Sequence, residues 1–431
     1  MIQKSISVTK DGTLAFAGIS VEELARKYGT PFYVMDENRL RENMAMYRAA
    51  MGEAFGEGAL AAYAGKALCC KRLYRILAEE GLGADVVSGG ELYTAQQAGF
   101  PMSRVFFHGN NKADWELDMA LELDVFCFMA DNEYELERLN RMAAARGRTV
   151  NVILRLTPGV DPHTYAAVNT GKMDCQFGRP IETGQAMEML RFALSLPQIR
   201  VLGAHCHLGS QIFSAEPYLL AVDKMTGFLA RAKAGLGYEA EYLSLGGGFG
   251  VRYTEDDPEV DIPGCIAAMG RALEERCAER GLRKMKILLE PGRSVVADAG
   301  MTVYRAGAVK EIRDHRAYVM VDGGMTDNPR YALYGSRYTV FNASRMNEPA
   351  DFTCTIAGRC CESGALVQEN VTIPQVRSGD LIAVAVTGAY NYSMASNYNR
   401  LPRLPLVMVR DGKDDLAVRR ETLDDLVKCD L

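Results

Sequence analysis

The sequence predicts an α/β chain in which a (β/α)8 barrel is followed by a β-rich domain, and three observations carry that expectation. Between residues 36 and 290, eight short apolar runs alternate with longer stretches whose apolar residues recur at spacings of three and four. The alternation occupies about 250 residues, the length of one barrel of this kind. Beyond residue 297 the helical spacing stops, and alternating polar and apolar runs broken by glycine turns take over. A doubly wound open sheet would satisfy the first observation equally well.

Taken in order, Ser20-Val21-Glu22-Glu23 has the pattern of a capping box, with a hydroxyl and a carboxylate placed to satisfy free amides at a helix start. Gly29-Thr30-Pro31 ends that helix, and 31–35 is a strand candidate. The eight barrel runs are 59–64, 83–87, 104–108, 125–129, 150–156, 200–205, 241–245 and 286–289. Helical spacing between them is visible at Tyr134, Leu136, Leu139 and Met142, and again at Tyr218, Leu219, Val222, Met225 and Leu229. The later strand candidates are 302–309, 317–321, 353–357 and 381–386.

Composition narrows the function classes. Of 431 residues 48% are apolar, and 49 basic against 55 acidic side chains give a net charge of −6. Disordered and collagen-like chains are excluded by that balance. No run of basic residues exists that could track nucleic-acid phosphates. No stretch reaches the roughly 18 apolar residues of a membrane span, and the first twelve residues lack the apolar centre of a signal peptide. The 11 cysteines are scattered, odd in number and without a CxxC pair, so reduced thiols in a cytoplasmic protein are expected.

Barrel enzymes build their sites from the loops after the strands, which singles out six motifs. Lys66 follows the first strand; partial desolvation there would free its amine as a nucleophile, whereas an isolated lysine is ordinarily a surface group. Asp85 and Ser88-Gly89-Gly90-Glu91 follow the second strand and His108-Gly109-Asn110-Asn111-Lys112 the third, with Ser88 and the two asparagines expected as helix caps. His205 and His207 after the sixth strand have metal-ligand spacing without a completing cluster, and a ring-stacking role for His207 is equally open. The turn Gly246-Gly247-Gly248 after the seventh strand matches no dinucleotide or P-loop spacing; it is either a tight turn or a phosphate cradle. Glu290 after the eighth strand needs a cation or donor to meet a buried carboxylate, and Arg293 beside it suits an anion or a structural ion pair with the acid. A lysine, a phosphate cradle and a buried acid together make up the equipment of a pyridoxal phosphate site.

The motifs AYAGKAL, GADVVSGGEL, HGNNK, TPGVDPHT, HCHLGSQ, SLGGGFG, EPGR, VDGGMTD with RYALYG, CCESG and TGAYNYSMASNYNRLPR resemble those of the fold type III pyridoxal phosphate decarboxylases over nearly the whole chain. The resemblance implies a barrel over 36–296 and a β-domain over 297–431 completed by the N-terminal segment 1–35. It implies Lys66 as the Schiff-base lysine, His207 stacked on the ring, and Glu290 on the ring nitrogen. Ser210, the amides of Gly246, Gly247 and Gly248, Gly292, Arg293 and Tyr390 would hold the cofactor, chiefly at its phosphate. Arg293, Arg330, Tyr334 and Tyr390 would line the substrate, the arginines and Tyr334 gripping its distal carboxylate. Cys361 and Glu362 would come from the other subunit of a homodimer, with Cys361 protonating the carbanion and Glu362 pairing with the distal ammonium. No metal is implied.

The implied reaction converts meso-2,6-diaminopimelate to L-lysine and CO2. Relatives on the same scaffold act on D-ornithine, D-lysine or polyamine precursors, and a non-catalytic partner-binding homologue is a third class. Three positions depart from the usual family pattern, Gln176 before Phe177-Gly178, Tyr165, and Ala365 after Glu362-Ser363-Gly364, and all three bear on substrate preference.

Overall fold

The computed structural model describes residues 1–161 and 174–431; Tyr165 lies outside the described residues. Contacts divide the chain into two compact units, one of Met44–Gly250 with Glu259–Ser294, the other of Met1–Asn43, Val251–Pro258 and Val295–Leu431.

The first unit is a closed parallel barrel. Its strands are Leu60–Ala64, Gly83–Val86, Val105–Phe107, Cys127–Ala130, Val150–Thr157, Ile199–His205, Tyr242–Ser244 and Lys286–Leu289. Each pairs in parallel with the next, and Leu288 and Leu289 pair with Leu60 and Ala61 to close the ring. Closure rules out the open-sheet alternative. A two-residue strand, Arg179–Pro180, adds to the end of the fifth strand.

Alternation of side chains along each strand sorts the residues by face. Ala62, Phe106, Cys127, Met129, Ile153, Leu202 and Leu288 meet inside the barrel as an apolar plug. Full burial of each large side chain contributes about 1.5–3 kcal/mol. Close strand approach also demands a missing side chain: a Cβ on Gly203 would lie 1.9 Å from the carbonyl oxygen of Tyr242. The register between the fifth and sixth strands slips by one residue between Val201 and Gly203, a bulge four residues from the strand's functional end.

The helix ends show which local signals hold. Ser88 caps helix Gly89–Ala98, its hydroxyl accepting from the Glu91 amide at 3.2 Å. Neither member of the Asn110-Asn111 pair is a helix cap: helix Asp114–Glu122 starts after Ala113, whose amide donates to the side chain of Glu116. Lys112 is buried instead, its ammonium donating to Glu135 at 2.6 Å and to the carbonyls of Gly109 and Met129 at 2.9 Å each. The loop after the third strand is thereby tied to the fourth strand and to helix Glu133–Ala144.

The second unit is built on a nine-stranded sheet. Phe32–Asp36 lies inside it, antiparallel to Gly300–Ile312 and parallel to Leu406–Arg410. Strands Arg316–Val321, Phe352–Ala357 and Leu366–Ile373 extend one side, and Lys413–Val418 forms the opposite edge. Helix Val21–Tyr28 forms as expected, but Ser20 makes no side-chain cap bond. Ser20 is held in strand Ile19–Ser20, paired with Ala15, which occupies the residue in a ladder rather than a capping box.

Candidate active site

Above the apolar plug the barrel interior turns polar. Lys66 lies two residues beyond the first strand, and Asp85 lies one residue before the end of the second. His108 follows the third strand directly, His205 and Ser244 end the sixth and seventh, and Glu290 follows the eighth. Strand ends at one mouth of a closed barrel therefore converge these six side chains.

Glu290 is the centre of the group. Its carboxylate is buried, with Oε2 2.9 Å from His205 Nε2 and Oε1 accepting from the Ser244 hydroxyl at 2.8 Å. His108 Nε2 stands 3.4 Å from Oε1 and 3.8 Å from Asp85 Oδ1. Burial opposes the Glu290 charge, and His205 and His108 beside it outweigh burial, holding the carboxyl well below its usual range. Burial pushes His205 down to about 4 despite the carboxylate beside it, so the ring is neutral near pH 7. A neutral ring donating from Nε2 leaves Nδ1 bare, and His205 Nδ1 has no hydrogen-bond partner among the described residues.

His108, His205 and Glu290 also form the one group among the described residues whose ligand atoms lie close enough together for a metal, within 4.8 Å. Hydrogen bonding already accounts for the contact between His205 and Glu290. Asp85 differs from Glu290: burial raises its carboxyl, although His108, Lys66 and Arg155 pull it down. Lys66 acts on Asp85, Glu91 and the His207 ring alike, and Glu290 acts on Asp85 and the same ring. The amine and the acid thus bear on common neighbours at one mouth.

The glycine turn backs onto these groups. Gly246 and Gly248 have φ of +68° and +102°, conformations that glycine adopts without strain. A Cβ on Gly246 would lie 2.8 Å from His207 Nδ1, and one on Gly247 would lie 2.0 Å from the Glu290 carbonyl oxygen. Two of the three turn amides have protein acceptors: Gly246 donates to Ser244 Oγ at 3.3 Å and Gly247 to His207 Nδ1 at 3.2 Å. His207 lies beyond the sixth strand, which ends at His205, so period-two facing does not link the two rings. Desolvation, followed by the charge of Lys66, keeps the His207 ring well below its usual pKa. Arg293 is buried and reaches Ser210 Oγ from Nε at 3.1 Å and from Nη2 at 2.9 Å. Gly292 lies against the first strand, where a Cβ would come within 3.1 Å of Ala64 Cβ.

The remaining predicted residues belong to the second unit. Arg330 is buried, donates from Nη1 to Tyr338 OH at 2.6 Å, and lies 5.1 and 5.7 Å from the ring centroids of Tyr253 and Tyr338. Burial opposes its charge, and the tyrosines beside it more than offset that. Helix Arg330–Tyr334 is preceded by a second polar knot, in which Asp327 accepts from Tyr304 OH at 2.6 Å, the Gly324 amide at 3.0 Å and Thr326 Oγ1 at 3.0 Å. Tyr334 is exposed. Tyr390 holds a positive φ of 61°, a costly backbone state for a bulky residue. Cys361 and Glu362 are exposed, and the Cys361 amide donates to Asn399 Oδ1 at 2.8 Å.

The sequence alone assigned no role to Ser244, His108, Tyr253 or Tyr338, and gave His205 only metal-ligand spacing without a completing cluster. A donor at the last residue of a barrel strand was the available signal for Ser244 and His205. The tyrosines around Arg330 lie 77 residues behind it and 8 ahead in the chain, with no local pattern linking them.

Comparison with known proteins agrees with this arrangement. Residues 38–297 match the family model described as the pyridoxal-dependent decarboxylase, pyridoxal binding domain. The diaminopimelate decarboxylase of Bacillus subtilis is 45% identical over 420 residues, covering 97% of this chain and 95% of that protein. That of Halalkalibacterium halodurans is 44% identical, covering 98% and 96%. The crystal structure of diaminopimelate decarboxylase from M. jannaschii in co-complex with L-lysine superposes with a TM-score of 0.92 at 34% identity, covering 100% of this chain and 98% of that one. By fold, by the acid and lysine at the barrel mouth and by these likenesses, the chain belongs to the pyridoxal-dependent decarboxylases.

Proposed function

We propose that this protein decarboxylates meso-2,6-diaminopimelate to L-lysine and CO2 using pyridoxal 5'-phosphate. The observation that carries the reading is Glu290: a buried carboxylate held ionised by the histidines beside it and bonded to Ser244, at a barrel mouth that also carries Lys66. Such an acid suits a cationic ring nitrogen, because its direct partners, His205, Ser244 and His108, include no permanent cation. The donor set fits the rest of the cofactor too. Arg293 donates to Ser210 Oγ, and the glycine turn packs against the backbone beside Ser210, a Cβ on Gly248 falling 2.3 Å from the Gly209 carbonyl oxygen.

When bound, the cofactor supplies an electron sink for the pair left on Cα by departing CO2. The chain's own residues do the rest. Glu290 would accept a hydrogen bond from the ring nitrogen and keep it protonated. His207, unprotonated, would stack on the ring without adding charge. Ser210, Arg293, Tyr390 and the glycine turn bind the phosphate. Lys66 carries the amine that holds the cofactor between turnovers. Arg330 and Tyr334 grip the distal carboxylate, Glu362 pairs with the distal ammonium, and Cys361 delivers the proton to Cα; we infer that Cys361 and Glu362 act from the second subunit of a homodimer. Their exposure in the single chain is consistent with completion by a partner.

A distal carboxylate is the natural occupant for a buried guanidinium, and a substrate without one would leave Arg330 without that anion, which costs affinity. A cytoplasmic location fits the free thiols, all 11 cysteines being unbridged. No helix among the described residues is long and apolar enough to cross a membrane. The test is CO2 release by purified protein with pyridoxal phosphate from meso-diaminopimelate, D-ornithine and L-ornithine. Preference for the first by at least two orders of magnitude is expected; preference for either ornithine would overturn the substrate assignment.

A further inference from the structure

We propose that His205 is a positioning residue for the cofactor ring: its Nε2–H, with the Ser244 hydroxyl, pins the two oxygens of Glu290 so that the carboxylate's remaining acceptor capacity faces the ring nitrogen. The inference rests on the function proposed above and deepens it at the two donors of Glu290. Its basis is geometric. The two contacts are 2.9 and 2.8 Å, one to each oxygen, and both donors end neighbouring barrel strands, so the carboxylate cannot rotate without breaking one of them.

The choice of donor matters as much as its place. A lysine or arginine at position 205 would neutralise Glu290 and compete with the ring for it. A neutral imidazole and a hydroxyl leave the carboxylate's full charge for the ring N–H. His205 is 1% exposed, and its Nδ1 has no hydrogen-bond partner among the described residues. Around the acid stand Lys66 beyond the first strand, Asp85 in the second, His108 after the third, Arg155 in the fifth, and His207 after the sixth. The nearby thiols of Cys127 and Cys206 are pushed up by burial and stay uncharged. Removing the His205 donor would leave His108 alone against burial, and Glu290 would take up a proton at higher pH.

The experiment compares apo-protein carrying His205→Leu, His205→Gln or Ser244→Ala with the unmodified chain. The dissociation constant for pyridoxal phosphate is measured from pH 5 to 9, alongside that for an analogue with CH in place of the ring nitrogen. His205→Leu is expected to weaken pyridoxal phosphate roughly 10- to 100-fold, the worth of one hydrogen bond to a charged group. The loss should deepen as pH falls, because protonated Glu290 cannot accept from the ring. Gln, which keeps an N–H near Nε2, should recover most of the affinity, and the CH analogue should bind all variants alike. Equal weakening of both ligands, or a His205→Leu affinity equal to that of the unmodified chain, would overturn the role. Should His205→Leu not fold, Ser244→Ala decides by the same ligand comparison. Failure of the unmodified protein to bind pyridoxal phosphate at all would instead overturn the proposed function itself.

Discussion

Replacing Gly247 by alanine tests whether the glycine turn is shaped by close backbone approach. Its φ is not in the left-handed region, so the substitution acts through space alone. The added Cβ would lie 2.0 Å from the Glu290 carbonyl oxygen and 2.8 Å from its carbonyl carbon, against an ordinary contact of 3.4 Å, so the two strand ends must part by more than 1 Å. The bond from the Glu290 amide to the Gly246 carbonyl, now 2.8 Å, would then pass the useful limit, and the 3.1 Å bond from Leu245 to Leu288 would weaken. Overpacking costs about 1–3 kcal/mol, and each lost bond adds about 1 kcal/mol, for a total of roughly 3–5 kcal/mol. At about 2–4 °C per kcal/mol for a unit of this size, melting should fall by on the order of 10 °C. Scanning calorimetry of the apo-protein measures this, and titration with pyridoxal phosphate should show weakened binding because Glu290 moves with its carbonyl. Gly235→Ala is the control: it lies in helix Glu216–Leu236 with nothing within 4 Å, and should stabilise by about 0.5–1 kcal/mol. A Gly247→Ala protein that melts within a degree of the parent and binds the cofactor as tightly would refute the reasoning.

Three further outcomes follow from the geometry. Lys112→Met leaves Glu135 as an unpaired buried charge and should cost about 3–5 kcal/mol in urea unfolding, with Lys112→Met/Glu135→Leu recovering much of it; an unchanged midpoint in the single variant would be inconsistent. Burial raises Asp327 to about 6, so the fold favours its neutral form: that contribution is full below pH ~4 and is lost as pH rises through 6. Against Asp327→Asn, wild-type stability should therefore decline by roughly 3 kcal/mol between pH 4 and 7 and then run parallel, and a pH-independent difference would contradict this. Arg330→Lys keeps the charge but loses the planar group bonded to Tyr338 and set against two rings. KM for diaminopimelate should rise tenfold or more with cofactor affinity unchanged, whereas an unaltered KM would remove Arg330 from substrate recognition.

Much of this architecture is legible in the chain, and the exceptions have physical causes. Parallel barrel strands are buried on both faces, so each shows as an unbroken apolar run between helical stretches; that is why 83–87 and 200–205 fall within a residue of the strands Gly83–Val86 and Ile199–His205. Strand ends are less legible, since a run such as 104–108 does not show that pairing stops at Phe107. Lys413–Val418 escaped notice because an edge strand exposed to water carries charges where a central strand carries none. Val340–Asn342 is three residues long and shows no period. Within the candidate site, Lys66 and Glu290 stood out by their position after apolar runs. His205 did not, because its meaning depends on a carboxylate 85 residues away that only barrel closure brings to 2.9 Å.

The most direct test is the identity of the cofactor lysine. Protein loaded with pyridoxal phosphate, reduced with borohydride, digested and mapped by mass spectrometry should carry one pyridoxyl group, on the peptide containing Lys66. A label on Lys71, Lys112 or any other lysine, or no label after loading, would contradict the placement of the chemistry at this barrel mouth.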